Sequence, residues 1–157
     1  MVILEGGTKT PLKILILDQN PILAGGMCRL LSEDGGLIAT ARNTFAASDL
    51  GLRHDETPEV VVIDPEQTDL TASDLVARFT IGGSGASLIG YSASASVELS
   101  RACFKAGFRG YLPKSAGIDT MRRAILVIAN GGVYLDDAFS DAMSSEPAAT
   151  SRYKKPA

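Results

Sequence analysis

The sequence predicts one α/β domain in which a parallel sheet is covered by helices on both faces. Short aliphatic or β-branched runs alternate with longer stretches of helical spacing, five of each, and this alternation is typical of βαβ units. The strand-like runs are apolar on both faces, as buried parallel strands are. With 157 residues, of which 45% are hydrophobic, the chain is long enough for one packed domain and hardly for two.

The first half of the chain contains three predicted strands and three predicted helices. Leu12–Asp18 reads LKILILD, Gly36–Ala41 is a weaker strand, and Glu59–Asp64, which reads EVVVID, is the clearest one. Apolar residues at helical spacing predict helices over Pro21–Ser32, Thr44–Leu52 and Leu70–Phe79. The inner stripe of the first helix is predicted to consist of Ile22, Leu23, Met27, Leu30 and Leu31.

The second half continues the alternation and sets the domain limits. Its predicted elements are, in order, the strand Ala86–Tyr91, the helix Ser94–Ala106, the strand Arg109–Leu112 and the long amphipathic helix Gly117–Asn130. We therefore expect an N-terminal extension over residues 1–11, a domain over 12–136, and a tail over 137–157. Because Ser140–Ala157 is rich in Ser, Ala and Pro, the tail is predicted to be disordered.

Charge and hydropathy exclude several classes of protein. The chain has 15 basic and 18 acidic residues, a net charge of −3, which does not favour a general nucleic-acid binder. Its longest apolar runs, such as Ala124–Ala129, are far shorter than the roughly 18 residues that span a bilayer. The N-terminus lacks the basic and apolar regions of a secretory signal. We therefore expect a cytoplasmic protein without membrane contact.

The sequence offers little support for zinc, triad or nucleotide chemistry. Cys28 and Cys103 lie 75 residues apart without a CxxC pair, and the single histidine, His54, lies in a polar loop. Gly82–Gly85 is glycine-rich, but no Lys-Ser/Thr pair follows it and a strand does, so it reads as a connector.

Reactive side chains follow four of the predicted strands. Asp18, Asp64, Ser92 and Lys114 each come at or just after the carboxyl end of a strand, where α/β folds form their sites. The flavodoxin-like strand order 2-1-3-4-5 would place them side by side. Carboxylates hold Mg²⁺, and Asp64, at the end of the most buried strand, can act as a nucleophile toward a phosphoryl group. A hydroxyl and an ammonium can bind the phosphoryl oxygens.

Five segments resemble the receiver domain of bacterial two-component response regulators, and most of all its NarL/FixJ type. They are ILILDQNP at Ile14–Pro21, EVVVID at Glu59–Asp64, LIGYSAS at Leu88–Ser94, KAGFRGYLPKSA at Lys105–Ala116 and AILVIANGGVYLDD at Ala124–Asp137. The resemblance covers Leu12 to about Asp136. It implies a CheY-like, flavodoxin-like (βα)5 fold.

The resemblance also implies a role for each site residue. Asp64 would be the phospho-acceptor, and Asp18 would belong to the acidic pair that binds Mg²⁺. Lys114 would contact the phosphoryl group, and Ser92 would be the switch hydroxyl. Tyr111 would be an exposed aromatic switch on the output face, which turns inward when Ser92 moves toward a phosphoryl group; core packing is its other interpretation.

Departures from the family pattern weaken the expected metal site. The second member of the acidic pair is Gln19, which keeps one oxygen but loses a full charge, at a cost on the order of a few kcal/mol. Glu66 could compensate as an acidic ligand, or could be a solvated loop residue. The loop Pro65–Asp69 lacks the usual apolar-proline-glycine sequence, and Ser115 replaces a common proline. We therefore expect weak Mg²⁺ binding by Asp18, Asp64, Glu66 and Gln19.

Three functions stay open at this point. The first is a receiver that accepts a phosphoryl group on Asp64 from a histidine kinase or phosphotransfer protein and signals by protein contact. The second is a degenerate receiver that binds partners without phosphorylation, and the third a flavodoxin-like small-molecule binder. The third class also includes nucleotide binders and enzymes, but we expect no enzyme activity beyond self-phosphorylation and autodephosphorylation in the first. A downstream protein and a homodimer are the expected partners.

The end of the sequence bears on the expected output. After Asp136 only 21 residues remain, where the helix-turn-helix domain of NarL/FixJ proteins would need at least about 50. We therefore expect either a stand-alone receiver or part of a longer protein, without direct DNA binding by this chain.

Overall fold

A computed structural model of the chain describes residues 2–3, 9–43, 46, 50–53, 56–80, 85–94 and 96–139. Its eight strands are β1 Val2–Ile3, β2 Lys9–Thr10, β3 Leu12–Leu17, β4 Leu37–Arg42, β5 Val60–Ile63, β6 Ser87–Ser92, β7 Gly110–Pro113 and β8 Tyr134–Leu135. Its four α-helices are α1 Pro21–Leu31, α2 Ala72–Thr80, α3 Val97–Ala106 and α4 Ile118–Ala129. A 3-10 helix over Pro65–Gln67 follows β5.

The main sheet has six parallel strands in the order β4-β3-β5-β6-β7-β8. Its first five strands have the predicted order 2-1-3-4-5, so the predicted doubly wound α/β fold is confirmed. The sixth strand, β8, was not predicted, because two residues are too short to give a period-two pattern. The short strands β1 and β2 pair antiparallel in the predicted N-terminal extension.

The sheet divides the core into two clusters. One packs the inner faces of α1 and α4 against alternate residues of β3 and β5, such as Ile14 and Val62. The other packs α2 and α3 against the residues between them, such as Leu15 and Val61. Apart from the exposed Lys13 of β3, both strands are buried on both faces, which explains their apolar sequences.

The predicted stripe of α1 is partly wrong. Ile22 is 86% exposed and Leu30 42% exposed, and the buried residues are Ala24, Met27 and Leu31. These three recur at spacings of three and four, so they share one face of the helix. Ile22 lies two residues from Ala24, which at 100° per residue places it on the opposite side.

Several predictions fall partly or wholly outside the described residues. Of the helix predicted over Thr44–Leu52, the described positions, Ala46 and residues 50–52, are not helical, and Gly51 has φ +137°. His54, residues 82–84 and the predicted tail from Ser140 onward lie outside the described part of the chain. Packed structure continues beyond the predicted domain end at Asp136, because Phe139 is fully buried. Among the described residues, no helix is long and apolar enough to cross a membrane.

Candidate functional site

Lys114 joins two buried carboxylates at the carboxyl edge of the sheet. Asp18 follows β3 and Asp64 follows the neighbouring strand β5, so the sheet register brings them to one edge. The Lys114 Nζ lies 2.8 Å from Asp18 Oδ2 and 2.7 Å from Asp64 Oδ2. Because both carboxylates are almost completely buried, solvent screens these ion pairs little.

The charges in this cluster stabilise one another. Burial raises the pKa of Asp18, but hydrogen bonds from Lys114, the Asn20 backbone and Gln67, with the charge of Lys114, outweigh it and hold the pKa below its ordinary value. Burial likewise lowers the pKa of Lys114, but its hydrogen bonds to Asp18 and Asp64 and their charges raise it above its ordinary value. Asp18 and Lys114 are therefore both ionised at neutral pH.

Gln67 bridges the loops that follow β3 and β5. Its Nε2 donates to Asp18 Oδ1 at 3.1 Å, and its Oε1 accepts from the Gln19 backbone N–H at 2.9 Å. The Asn20 backbone N–H donates to the same Asp18 oxygen at 2.8 Å. Sequence reasoning missed Gln67, although its place in the 3-10 helix that begins after Asp64 brings it back toward β3.

The Glu66 carboxylate bonds to the loop after β6, whereas a metal ligand would be expected to face Asp18 and Asp64. Its backbone N–H donates to Asp64 Oδ1 at 2.9 Å, which caps the 3-10 helix. Its Oε2 accepts a hydrogen bond from Ser94 Oγ at 2.8 Å, in the loop between β6 and α3. The side chain thus ties the segment after Asp64 to the segment after Ser92.

The donor set is a weak one for Mg²⁺. Hard cations need several carboxylate or carbonyl oxygens that are free to coordinate. Here every carboxylate oxygen of Asp18 and Asp64 already accepts a hydrogen bond or an ion pair from the chain itself. Gln19 supplies only a neutral amide. Within the described ranges no three His, Cys, Asp or Glu side chains form a group that could hold a metal ion. Binding of Mg²⁺ by Asp18, Asp64, Glu66 and Gln19 therefore stays a prediction, and in this structure the Glu66 carboxylate bonds to Ser94 instead.

Ser92 and Tyr111 form a buried hydrogen-bonded pair beside this cluster. Tyr111 OH donates to Ser92 Oγ at 3.1 Å, and Ser92 Oγ donates to the Ser94 carbonyl at 2.9 Å. Burial raises the pKa of Tyr111 far above its ordinary value, so its hydroxyl keeps its proton and acts as the donor. The Ser92 hydroxyl thus donates its only proton to a carbonyl in the loop that follows β6, and its oxygen accepts the hydrogen bond from Tyr111.

The expectation of an exposed Tyr111 is wrong, because the ring is 0% exposed. Gly90 lies opposite Tyr111 on β6, and a Cβ there would overlap the ring. On another side the ring meets Phe139 edge-on, with 4.8 Å between centroids and 67° between planes. Gly90 in the predicted strand was the sequence signal for an inward ring, whereas Phe139 lay in the predicted tail. Leu112 is buried on the opposite face of the sheet, as alternation along the strand predicts.

Comparison with known proteins identifies what the chain resembles. No family model matches it. It is 25% identical over 141 residues to a probable transcriptional regulatory protein, SgaR, of Hyphomicrobium methylovorum, covering 87% of this chain and 64% of that protein. It is 25% identical over 130 residues to a nitrate/nitrite response regulator protein homolog of Haemophilus influenzae, covering 83% and 62%. The chain thus spans less than two thirds of the length of these relatives.

Solved structures agree with the sequence comparison. A LuxR-family two-component response regulator from Aurantimonas has a TM-score of 0.73 at 21% identity, over 85% of this chain and 95% of that one. A CheY-like receiver domain protein from Methanospirillum hungatei has a TM-score of 0.63 at 18% identity, over 77% and 95%. The fold is that of the response regulator receiver domain. The resemblance inferred from the sequence motifs is confirmed by these two structures and by the response regulator homolog of Haemophilus influenzae.

Proposed function

We propose that this chain is a receiver module that passes on a signal by protein contact and that works without metal-assisted phosphorylation of Asp64. The observation that supports this most is the closed carboxylate cluster. Lys114 forms ion pairs with both Asp18 and Asp64, and Gln67 donates to the oxygen of Asp18 that Lys114 does not contact.

Electrostatics explain why this arrangement disfavours phosphoryl acceptance. A phosphoryl group on Asp64 brings about −1.5 to −2 charges at neutral pH. One ammonium, already shared with Asp18, must offset them. With Gln19 in place of a carboxylate, the site has one negative charge fewer with which to attract a divalent cation. The degenerate receiver among our sequence-based alternatives is therefore the one that this site supports best.

Phosphorylation of Asp64 is the second candidate function. In this reaction a carboxylate oxygen of Asp64 attacks phosphorus, the P–N bond of a donor phosphohistidine breaks, and a P–O bond forms on Asp64. The observation in its favour is the Lys114 Nζ at 2.7 Å from Asp64 Oδ2, where an ammonium would pair with a phosphoryl oxygen. The donor would be a histidine kinase or phosphotransfer protein.

A small-molecule binding function has weaker support. A cavity of about 710 Å³, lined by Leu52, Pro58, Arg78 and Ser87 among others, lies at the amino ends of β5 and β6. Ligands of doubly wound folds bind instead beyond the carboxyl ends of the strands. We therefore do not advance this alternative.

A phosphorylation experiment separates the two leading candidates. The wild-type chain, the Gln19→Asp/Gln67→Ala variant and an Asp64→Asn control are incubated with acetyl phosphate and Mg²⁺ and followed by intact mass. The wild type should gain no phosphoryl group, and beryllofluoride with Mg²⁺ should leave its NMR spectrum unchanged. The double variant should regain Mg²⁺-dependent spectral shifts. A wild-type chain that gains one phosphoryl group, with none on Asp64→Asn, would establish the second candidate instead.

A further inference from the structure

We propose that residues 134–139 form an output latch on Tyr111. This C-terminal segment is ordered while the Tyr111 ring points inward, and it loses that order when the ring moves outward. The proposal rests on contacts that tie the segment to β7 at both its beginning and its end. It goes beyond the proposed function, because it states which part of the chain carries the signal to a partner.

The backbone of the latch is fixed to the strand that carries Tyr111. The N–H of Tyr134 donates to the Arg109 carbonyl at 2.9 Å, and the N–H of Asp136 donates to the Tyr111 carbonyl at 3.2 Å. Leu135 is the parallel register partner of Tyr111. The start of the segment is therefore a strand added to the edge of the sheet beside Tyr111.

A turn then brings Phe139 back over Tyr111. Asp136 caps this turn, since its Oδ1 accepts from the Ala138 N–H at 3.0 Å and its carbonyl accepts from the Phe139 N–H at 2.9 Å. Phe139 is fully buried and meets the Tyr111 ring edge-on. The ring is therefore enclosed by Gly90 on one side and by Phe139 on another, and an outward rotation requires Phe139 to move.

The latch is connected to the carboxylate cluster through side-chain hydrogen bonds. Tyr111 donates to Ser92, Ser92 donates to the Ser94 carbonyl, and Ser94 donates to Glu66, two residues after Asp64. A rearrangement at Asp64 or at Glu66, including one imposed by a bound partner, therefore changes what Ser92 offers to Tyr111. Because the Tyr111 ring contacts Phe139, that change reaches the C-terminal segment.

NMR on the full chain tests the contact between ring and latch. Tyrosine and phenylalanine rings are ¹³C-labelled, and Tyr111 is assigned from the signal lost in Tyr111→Phe. Phe139→Leu should shift the Tyr111 ring signals and speed amide exchange at Asp136 by about tenfold. Tyr134→Ala removes an aromatic ring from the same segment but on the opposite face, and should leave the Tyr111 ring signals in place. An unshifted Tyr111 in Phe139→Leu would overturn the proposal.

The reverse direction is tested from the serine. Ser92→Ala removes the hydrogen-bond acceptor of Tyr111 and should shift the ring signals of Phe139. Ser100→Ala is the matched control, because Ser100 is equally buried and its hydroxyl donates to the Val97 carbonyl within α3. Equal Phe139 signals in the two variants would overturn the latch. The experiment needs no phosphoryl donor, metal or partner, so its failure is distinct from failure of the proposed function.

Discussion

The Asp18–Asp64–Lys114 cluster and the Ser92–Tyr111 pair lie at the same edge of the sheet but are held by different forces. The first consists of buried ion pairs to one ammonium. The second consists of one neutral hydrogen bond and an aromatic contact. Breaking a buried ion pair by removal of one partner costs about 3–5 kcal/mol, whereas a neutral hydrogen bond contributes about 1 kcal/mol. We call the first the charged half and the second the neutral half; only in the neutral half can a hydrogen bond be exchanged, at about 1 kcal/mol, without leaving a buried charge unpaired.

This difference bears on our proposal that the receiver fold passes on a signal without phosphorylation of Asp64. Glu66 and Ser94 connect the two halves by a hydrogen bond at the surface, where a partner protein can reach both side chains. A partner that takes over either group perturbs Ser92 at a cost on the order of 1 kcal/mol. It does not need to open the ion pairs around Lys114.

The largest expected effect comes from removing the shared ammonium. Lys114→Met leaves two buried carboxylates facing each other, and we expect it to lower the free energy of unfolding by about 3–5 kcal/mol at pH 7. Without the ammonium, burial raises the pKa of Asp18, so the variant should regain stability relative to the wild type as pH falls. Urea denaturation at several pH values measures both. Lys105→Met, an exposed lysine on α3, is the control and should change little.

The next effect is steric and lies in the neutral half. Gly90→Ala places a Cβ inside the space of the Tyr111 ring, and we expect a loss of about 1–3 kcal/mol together with displacement of the ring. The ¹³C-labelled ring signals of Tyr111 measure the displacement, because fluorescence would combine all four tyrosines of the chain. Gly26→Ala is the control with the opposite sign. Its Cβ meets nothing and it lies within α1, so it should stabilise the chain by about 0.5–1 kcal/mol. A native-like Tyr111 in Gly90→Ala would contradict the enclosed position of the ring.

The sequence predicted the charged half better than the neutral half. Asp18, Asp64 and Lys114 follow three strands of a parallel sheet, and the topology alone brings the ends of such strands to one edge. The strand order was therefore enough to predict that these three side chains lie close together. Their functional roles stay predictions, because a receiver fold at about 20% identity does not determine them.

The remaining contacts depend on local backbone paths that have no periodic pattern. Gln67 reaches Asp18 because a 3-10 helix follows Asp64, and Phe139 reaches Tyr111 because a turn follows Asp136. The prediction that Ile22 is buried was wrong for a related reason. Periodicity predicts that an apolar stripe exists, but the packing of α1 on the sheet decides which residues form it. The sequence therefore did not predict single turns of the backbone or the rotation of a helix about its axis.

A smaller effect is expected from the amide that closes the charged half. Gln67→Ala removes the hydrogen bonds to Asp18 and to the Gln19 backbone, and we expect a loss of about 1 kcal/mol at pH 7. Gln19→Ala removes an exposed amide of the same size while keeping the bonded backbone N–H, so it should be nearly neutral. Thermal or urea denaturation compares the two. Equal losses would show that Gln67 is not a bridge between the loops.

The smallest expected effect is the pH dependence of that bridge. Hydrogen bonds, including the one from Gln67, hold the pKa of Asp18 below its unfolded value of about 3.8. The stability they contribute is present above that value and is lost as pH falls through the folded pKa, because the native carboxylate must then take up a proton. Gln67→Ala removes one of these bonds, so the variant loses less stability than the wild type when the pH falls. The gap between wild type and Gln67→Ala, about 1 kcal/mol at neutral pH, should therefore narrow by a fraction of that amount below about pH 4. Urea denaturation from about pH 7 to about pH 2 measures the gap, and a gap that is constant over this range would mean that Gln67 does not interact with the charged form of Asp18.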